Sequence, residues 1–159
     1  MSSPLNTRIT IRVYGIILSE RDEVLLSDET YRGHRFTKFP GGGLEYGEGT
    51  LDCLRREIRE ETGCRIEILR HLYTTDFFQE SLFHPGIQVI SIYYLARFTE
   101  PPCFPVSKRP FDFPEDAGRG QSFRWLPLDR LTPDAVTLPI DKKVAELIRL
   151  KNNEQGLKI

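Results

Sequence analysis

The chain has 159 residues and a formal net charge of −1, with 28% charged and 39% hydrophobic residues. That length suits one domain, large enough to bury roughly 68–70% of its unfolded surface without staples. The balanced charge leaves no basic footprint for a nucleic-acid duplex, and no apolar run approaches the roughly 20 residues of a membrane-spanning helix.

The pattern predicts a strand over Thr7–Ser19, where Ile9, Ile11 and Val13 alternate before the apolar run Ile16-Ile17-Leu18. Glu20-Arg21-Asp22 reads as a turn and Glu23–Ser27 as a second strand. Asp28–His34 reads as a polar loop and Phe36–Phe39 as a short strand. The run Pro40-Gly41-Gly42-Gly43 then turns the chain into a helix over about 49–62. Arg65–Tyr73 and the β-branched, aromatic Ile87–Phe98 read as strands around the turn Phe83-His84-Pro85-Gly86. Pro101–Gln121 is a long loop, followed by a short strand at Ser122–Leu126, a helical turn at Leu128–Leu131 and an amphipathic helix over Ile140–Leu150. Strands on both sides of a central helix, with a second helix at the end, make an α+β or α/β/α sandwich with a mixed sheet. Residues 6–151 are expected to form the single domain and 152–159 a tail.

Cys53, Cys64 and Cys103 are an odd set without metal-ligand spacing, which argues against a disulfide framework. Residues 1–7 show no basic segment running into an apolar one, so no secretory leader is expected and a cytoplasmic location is the default.

The most informative stretch is Gly42 to Cys64, GGLEYGEGTLDCLRREIREETGC. Thr50 suits a helix N-cap and Gly63 a left-handed C-terminal position. Leu51, Leu54 and Ile58 share one helical face. Glu57, Glu60 and Glu61 fall in an arc of roughly 100° beside that stripe. This placement is poor for the helix alone, because Glu57 and Glu61 are a like-charge pair one turn apart near its negative end. An isolated Glu-Glu pair is ordinarily a solvated surface feature. Joined to the glycine turn, three carboxylates instead make a set of hard oxygen donors suited to Mg²⁺ and phosphate, with no Cys or His neighbours to suit zinc.

In this stretch the chain resembles the Nudix hydrolases, whose box reads Gly-x5-Glu-x7-Arg-Glu-U-x-Glu-Glu-x-Gly-U, with U a bulky apolar residue. Gly42, Glu48, Arg56, Glu57, Ile58, Glu60, Glu61 and Gly63 fill the pattern and Cys64 closes it with a smaller residue than usual. The resemblance implies a Nudix-type α/β/α sandwich and hydrolysis of a diphosphate linkage in a nucleoside diphosphate derivative by water attack on phosphorus. It implies Mg²⁺ or Mn²⁺ as cofactor, held by Glu57, Glu60, Glu61 and the Gly42 carbonyl. Arg56 is expected to orient a box glutamate and Glu48 to mark the helix start or an outer metal contact; the resemblance implies a catalytic acidic residue in the later loop, Glu115 or Asp116, and in its absence the base role passes to a box glutamate, Glu61 first. A catalytically silent nucleotide-sensing or scaffold module is the alternative, although such modules are expected to lose box glutamates.

The group attached to the diphosphate must be read outside the box. Pro101–Gln121 holds aromatics and both charge signs; Phe111, Glu115 and Asp116, with Arg35 in the earlier basic loop beside His34, are the candidates for substrate contact. Tyr14 and Phe36 are more readily core residues than cleft residues, and His71 and His84 read as structural. The proline expected of ADP-ribose pyrophosphatases near Gln79–Ser81 and the tyrosine expected of dinucleoside-polyphosphate hydrolases near Glu80–Leu82 are both missing. The expected partner is a small nucleotide-type substrate, without a membrane; a homodimer stays open.

Overall fold

The structure is a computed structural model that describes residues 8–116 and 118–156. The first residues of the expected domain, Asn6 and Thr7, and the end of the expected tail, 157–159, lie outside the described residues. The strands are β1 (Arg8–Ile17), β2 (Glu23–Tyr31), β3 (His34–Lys38), β4 (Gly41–Gly43), β5 (Ile66–Thr74), β6 (Ile87–Phe98) and β7 (Gln121–Pro127). The helices are α1 (Thr50–Thr62) and α2 (Pro139–Gln155), with short 3-10 turns at Leu128–Arg130 and Pro133–Ala135. Within the described residues no helix is long and apolar enough to cross a membrane.

One sheet has the order β4-β1-β6-β5, the other β3-β2-β7. β1 runs parallel to β6, while its pairing with β4 and that of β6 with β5 are antiparallel. The sheet is therefore mixed, as expected. Strand alternation feeds two cores. Val13, Ile17, Leu25 and Ala96 join Cys53, Leu54 and Ile58 of α1. Tyr14, Ile16, Leu18, Val24, Leu26, Tyr93 and Leu95 join Val144, Ala145 and Ile148 of α2. This is an α/β/α arrangement, built from residues that change face at every step.

Three readings of the sequence need correction. Asp28–Tyr31 is not a loop. β2 continues to Tyr31 and turns into β3 through Arg32 and Gly33, both at positive φ (49° and 77°), a two-residue hairpin geometry that Asn-Gly announces more clearly than Arg-Gly. Its polar residues are buried because they are paired: Asp28 accepts from Thr37 Oγ1 (2.6 Å) and from Arg124 Nε (2.7 Å) and Nη2 (3.3 Å). Thr50 is not the N-cap of α1. Gly49 is, without a side-chain cap, and Thr50 Oγ1 is hydrogen-bonded to the Tyr94 hydroxyl (2.7 Å) instead. Finally, α2 continues to Gln155, into the segment expected to be tail.

The loop over 101–120 is pinned at several points. Phe104 packs on Phe98 and Phe123, the Ser107 N–H donates to the Phe123 carbonyl (2.7 Å), and the Asp112 N–H donates to Ser122 Oγ (3.2 Å). Behind it lies the buried Asp28–Arg124 ion pair, joining β2 to β7. Removing one partner of a buried pair leaves an uncompensated charge. Asp28→Asn should therefore lower the unfolding free energy by about 3 kcal/mol or more, measured in urea melts; a loss below about 1 kcal/mol would show the pair to be dispensable.

Candidate active site

The site begins at the β4–α1 junction. Val13 of β1 lies opposite Gly42 of β4, and α1 packs across this end of the sheet. A Cβ at Gly42 would overlap the Glu57 carboxylate. Any larger residue here would displace the Glu57 carboxylate, so glycine lets it sit against the strand. At its other end α1 closes on Gly63 in the left-handed conformation (φ 73°), whose N–H donates to the Arg59 carbonyl.

The buried face of α1 consists of Cys53, Leu54, Ile58 and Thr62, whereas Leu51 is 40% exposed. The stripe is thus rotated toward Cys53 relative to the expected one. Glu57 and Glu61 consequently fall inside the buried arc and Glu60 at its rim. The Glu57 side chain is 16% exposed and that of Glu60 60%.

Arg56 ties these groups together. Its Nε and Nη2 donate to the two Glu48 carboxylate oxygens (2.9 and 2.7 Å) in a fork, Nη2 also reaches the Gly43 carbonyl (3.0 Å), and Nη1 meets Glu57 (3.2 Å) and Glu60 (3.3 Å). The fork from Arg56, with the Glu45 N–H, holds the Glu48 carboxyl down to about 2. Glu48 is therefore the anchor of the orienting arginine. Cys53 beneath it is pushed up to about 12, first by burial and then by Glu48; it is a packing group with no thiolate chemistry.

Glu61 points the other way, into a cleft of about 910 Å³ whose walls include Arg12, Tyr14, Glu29, Lys38, Tyr93 and Asp141. Its Oε2 is buried with no hydrogen-bond partner. Burial, assisted by Glu29 and Glu57 and opposed by Lys38, pushes its carboxyl up to about 7. Lys38 is buried; burial pulls its ammonium down, but Glu29 and then Glu61 hold it above its usual range. It donates to Glu29 (3.1 Å) and to the Gly41 carbonyl (3.1 Å). Asp141, at the start of α2, is fully buried and accepts from the Tyr93 hydroxyl (2.5 Å) and the Phe39 N–H (3.2 Å). Burial raises it to about 6. The outer wall is aromatic: Phe83 packs on Tyr31 and Phe36, and Arg119 lies over Tyr31.

An unpaired carboxylate oxygen and a carboxylate pressed on bare backbone fit a hard divalent cation. Among the described residues no three His, Cys, Asp or Glu side chains form a ready-made cage. That fits Mg²⁺, which is usually held by one or two carboxylates together with substrate phosphates and water.

A model of the family described as the NUDIX domain matches residues 8–148. The chain belongs to the Nudix hydrolase family. Over 64 residues, 40% of this chain and 20% of the relative, it is 39% identical to a human protein named 8-oxo-dGDP phosphatase NUDT18. Over 96 residues, 60% and 27%, it is 32% identical to the mouse protein of that name. The chain thus spans only a fraction of these relatives' length. The structure of a MutT protein from Methanosarcina mazei Go1 superposes with a TM-score of 0.68 at 19% identity, covering 94% of this chain and 99% of that one; this shows the shared fold.

Within this Nudix fold Arg56 joins Glu57 and Glu60, Glu57 lies against Gly42, and Glu61 stands apart on the cleft wall. Arg35, Phe111, Glu115 and Asp116 do not line the cleft. Arg35 lies over the Phe111 ring (5.5 Å) on the outside of the β2–β3 hairpin, and Glu115 and Asp116 are exposed on the loop. Tyr14 and Phe36, nearly buried, line it as well as packing. Sequence reading passed over Lys38, Glu29, Arg12 and Asp141. A weak signal existed for two: Lys38 is a lone charge in FTKFP, and Asp141 lies three and four residues before Val144 and Ala145 on the buried face of α2.

Glu61 and Asp141 set a pH dependence. Each carboxyl binds its proton more tightly folded than unfolded. In the interval between the ordinary carboxylate range and about 7 the folded state holds more protons, so stability falls as pH rises. The metal-free protein should be more heat-stable near pH 5 than near pH 7.5, and Glu61→Gln should flatten that slope. Melts in EDTA across this range check it; a profile rising through the interval would contradict the assignment.

Proposed function

We propose that the protein hydrolyses the diphosphate linkage of a nucleoside diphosphate derivative, with Mg²⁺ or Mn²⁺ as cofactor. The observation that carries this reading is the buried, unpaired Glu61 Oε2 on the wall of a cleft large enough for a nucleotide, one helical turn from Glu57. Glu57, Glu60, Glu61 and the Gly42 carbonyl are the proposed ligands. A divalent ion bound there supplies charge neutralisation of the diphosphate and an activated water.

The rest is done by the chain. Arg56 fixes Glu57 and Glu60 on the box side. Glu61, on the cleft wall, takes the proton of the attacking water through a carboxylate oxygen that does not hold the ion, as a water oxygen–phosphorus bond forms and the anhydride oxygen leaves with the departing phosphate group. Lys38 balances the charge of Glu29 and Glu61 beneath the substrate. The Tyr31–Phe83 wall offers faces for a planar base. Retention of every box glutamate favours turnover over a silent sensing module.

The deciding experiment measures phosphate and nucleotide release from nucleoside di- and triphosphates, nucleotide sugars, ADP-ribose and dinucleoside polyphosphates, each with Mg²⁺, Mn²⁺ or EDTA. The names of the human and mouse relatives make 8-oxo-dGDP one member of that panel. Metal-dependent release from at least one member is expected; no release from any would defeat the proposal.

Glu61→Gln should reduce kcat by about 10²-fold or more while the protein stays folded, since a positioned base contributes on that order. Glu115→Gln and Asp116→Asn should each keep activity within about twofold, because a base must reach the proton it removes. A large fall in kcat in either loop variant, with Glu61→Gln near parental activity, would move the base to the loop.

A further inference from the structure

We propose that Arg12, outside the box and on β1, is the residue that grips the substrate's phosphate chain, its guanidinium fork binding non-bridging phosphate oxygens beside the metal-ligating face. This rests on the hydrolase reading above and assigns the anion-binding role that the box leaves unfilled.

The argument compares the cations of the site. Arg56 is saturated by Glu48, Glu57, Glu60 and the Gly43 carbonyl. Lys38 is occupied by Glu29 and by the Gly41 and Phe39 carbonyls. Neither has donors to spare. Arg8 and Arg119 line the mouth but are exposed to water, where a phosphate contact contributes little. Arg12 is half-buried in the cleft wall. Its Nε donates to the Tyr14 hydroxyl (2.6 Å), and the guanidinium lies over the Tyr14 ring. Among the described residues Nη1 and Nη2 make no hydrogen bond and no ion pair within 4 Å, while the charges of Glu57 and Glu29 stand near enough to favour the guanidinium.

Partly desolvated charged donors left unmade are costly, so this fork has been positioned and left open. Tyr14 fixes its direction through Nε, leaving the two Nη groups in the geometry that matches a phosphate bidentately. Its place is equally specific. Arg12 pairs with Gly43 in the β1–β4 ladder, and Nη1 lies 3.8 Å from where a Cβ on Gly43 would stand. It therefore stands one ladder step from Gly42, on the Tyr14 face of β1, with Glu57 close enough for its charge to favour the guanidinium. When a cation neutralises Glu57 and Glu61, the positive charge of Arg12 is left facing the diphosphate.

The test is calorimetric binding of α,β-methylene ADP and α,β-methylene GDP, which the enzyme cannot cleave at that linkage, to parent, Arg12→Gln, Arg12→Lys and Tyr14→Phe in Mg²⁺. Melting temperatures verify the fold of each. Arg12→Gln should weaken binding of whichever analogue the parent takes by about 10-fold or more, and flatten its dependence on salt. Arg12→Lys, which keeps the charge without the fork, should recover only part of the loss. Tyr14→Phe should lose less than Arg12→Gln, since the cation remains. Binding by Arg12→Gln within about twofold of the parent would overturn the assignment, and so would an equal loss in Tyr14→Phe, which would make Arg12 a support for Tyr14. If the parent hydrolyses a panel substrate while Arg12→Gln binds normally, only this inference falls; if the parent neither binds nor hydrolyses any nucleotide, both fall.

Discussion

The constraint on which the site depends is the contact between the Glu57 carboxylate and the bare Cα of Gly42. It sets how closely α1 approaches β4, and so the height of every carboxylate on that helix above the sheet. Gly42 is itself fixed by β1, through the register Val13↔Gly42, and β1 is held in the middle of its sheet by its long parallel pairing with β6. A chain of contacts thus runs from the central strands to the carboxylate-bearing face of α1. The buried Cys53, Leu54 and Ile58 hold the helix down on that reference, and Arg56 fixes the rotation of the carboxylates about it. None of this needs a loop, which suits chemistry that depends on placing a few oxygens to within about 0.5 Å.

A second property follows from what α1 is asked to bury. Two carboxylates inside the packed arc of a helix oppose folding, through desolvation and like charge. The fold answers on each side differently. Toward the solvent edge Arg56 compensates Glu57 and Glu60. Toward the cleft Lys38 faces Glu61, but Lys38 is shared with Glu29, and Glu61 remains short of a partner. The deficit is confined to one atom at the point where chemistry is proposed to occur. Such local imbalance is what distinguishes a functional acidic cluster from a solvated one.

These facts explain which parts were legible in the sequence. The box could be read because its spacing is local: Gly42, Arg56, Glu57, Glu60, Glu61 and Gly63 are brought together by one turn and one helix. β1 and β6 were legible because apolar alternation and β-branched runs report burial directly. Asp28–Tyr31 was misread for the opposite reason. Polar residues in a strand look like a loop when their partners, Thr37, Lys38 and Arg124, lie on other strands. Thr50 looked like a cap because its distant partner Tyr94 could not be seen. The weight placed on Glu115 and Asp116 came from loop length and composition, but phenylalanines that can stack a base can equally pin a loop, and Phe104 does the latter.

The misreadings therefore share a cause, and it bears on where substrate recognition resides. Arg12, Glu29, Lys38 and Asp141, charged residues that line the cleft outside the box, each sit in a strand or at a helix start where periodicity predicts apolar packing. Such positions are costly for charge and are kept only with partners. Glu29 and Lys38 have each other, and Asp141 has Tyr93 and Phe39. Arg12 makes its hydrogen bond at Nε, to Tyr14, with Glu57 and Glu29 acting on it only at a distance. A diphosphate, as proposed, would bring negative charge to this partly buried wall, whereas Arg8 and Arg119 at the mouth meet water. The distribution of satisfied and unsatisfied donors gives the proposed substrate a direction, its phosphate chain toward β1 and its remainder toward the Tyr31–Phe83 wall.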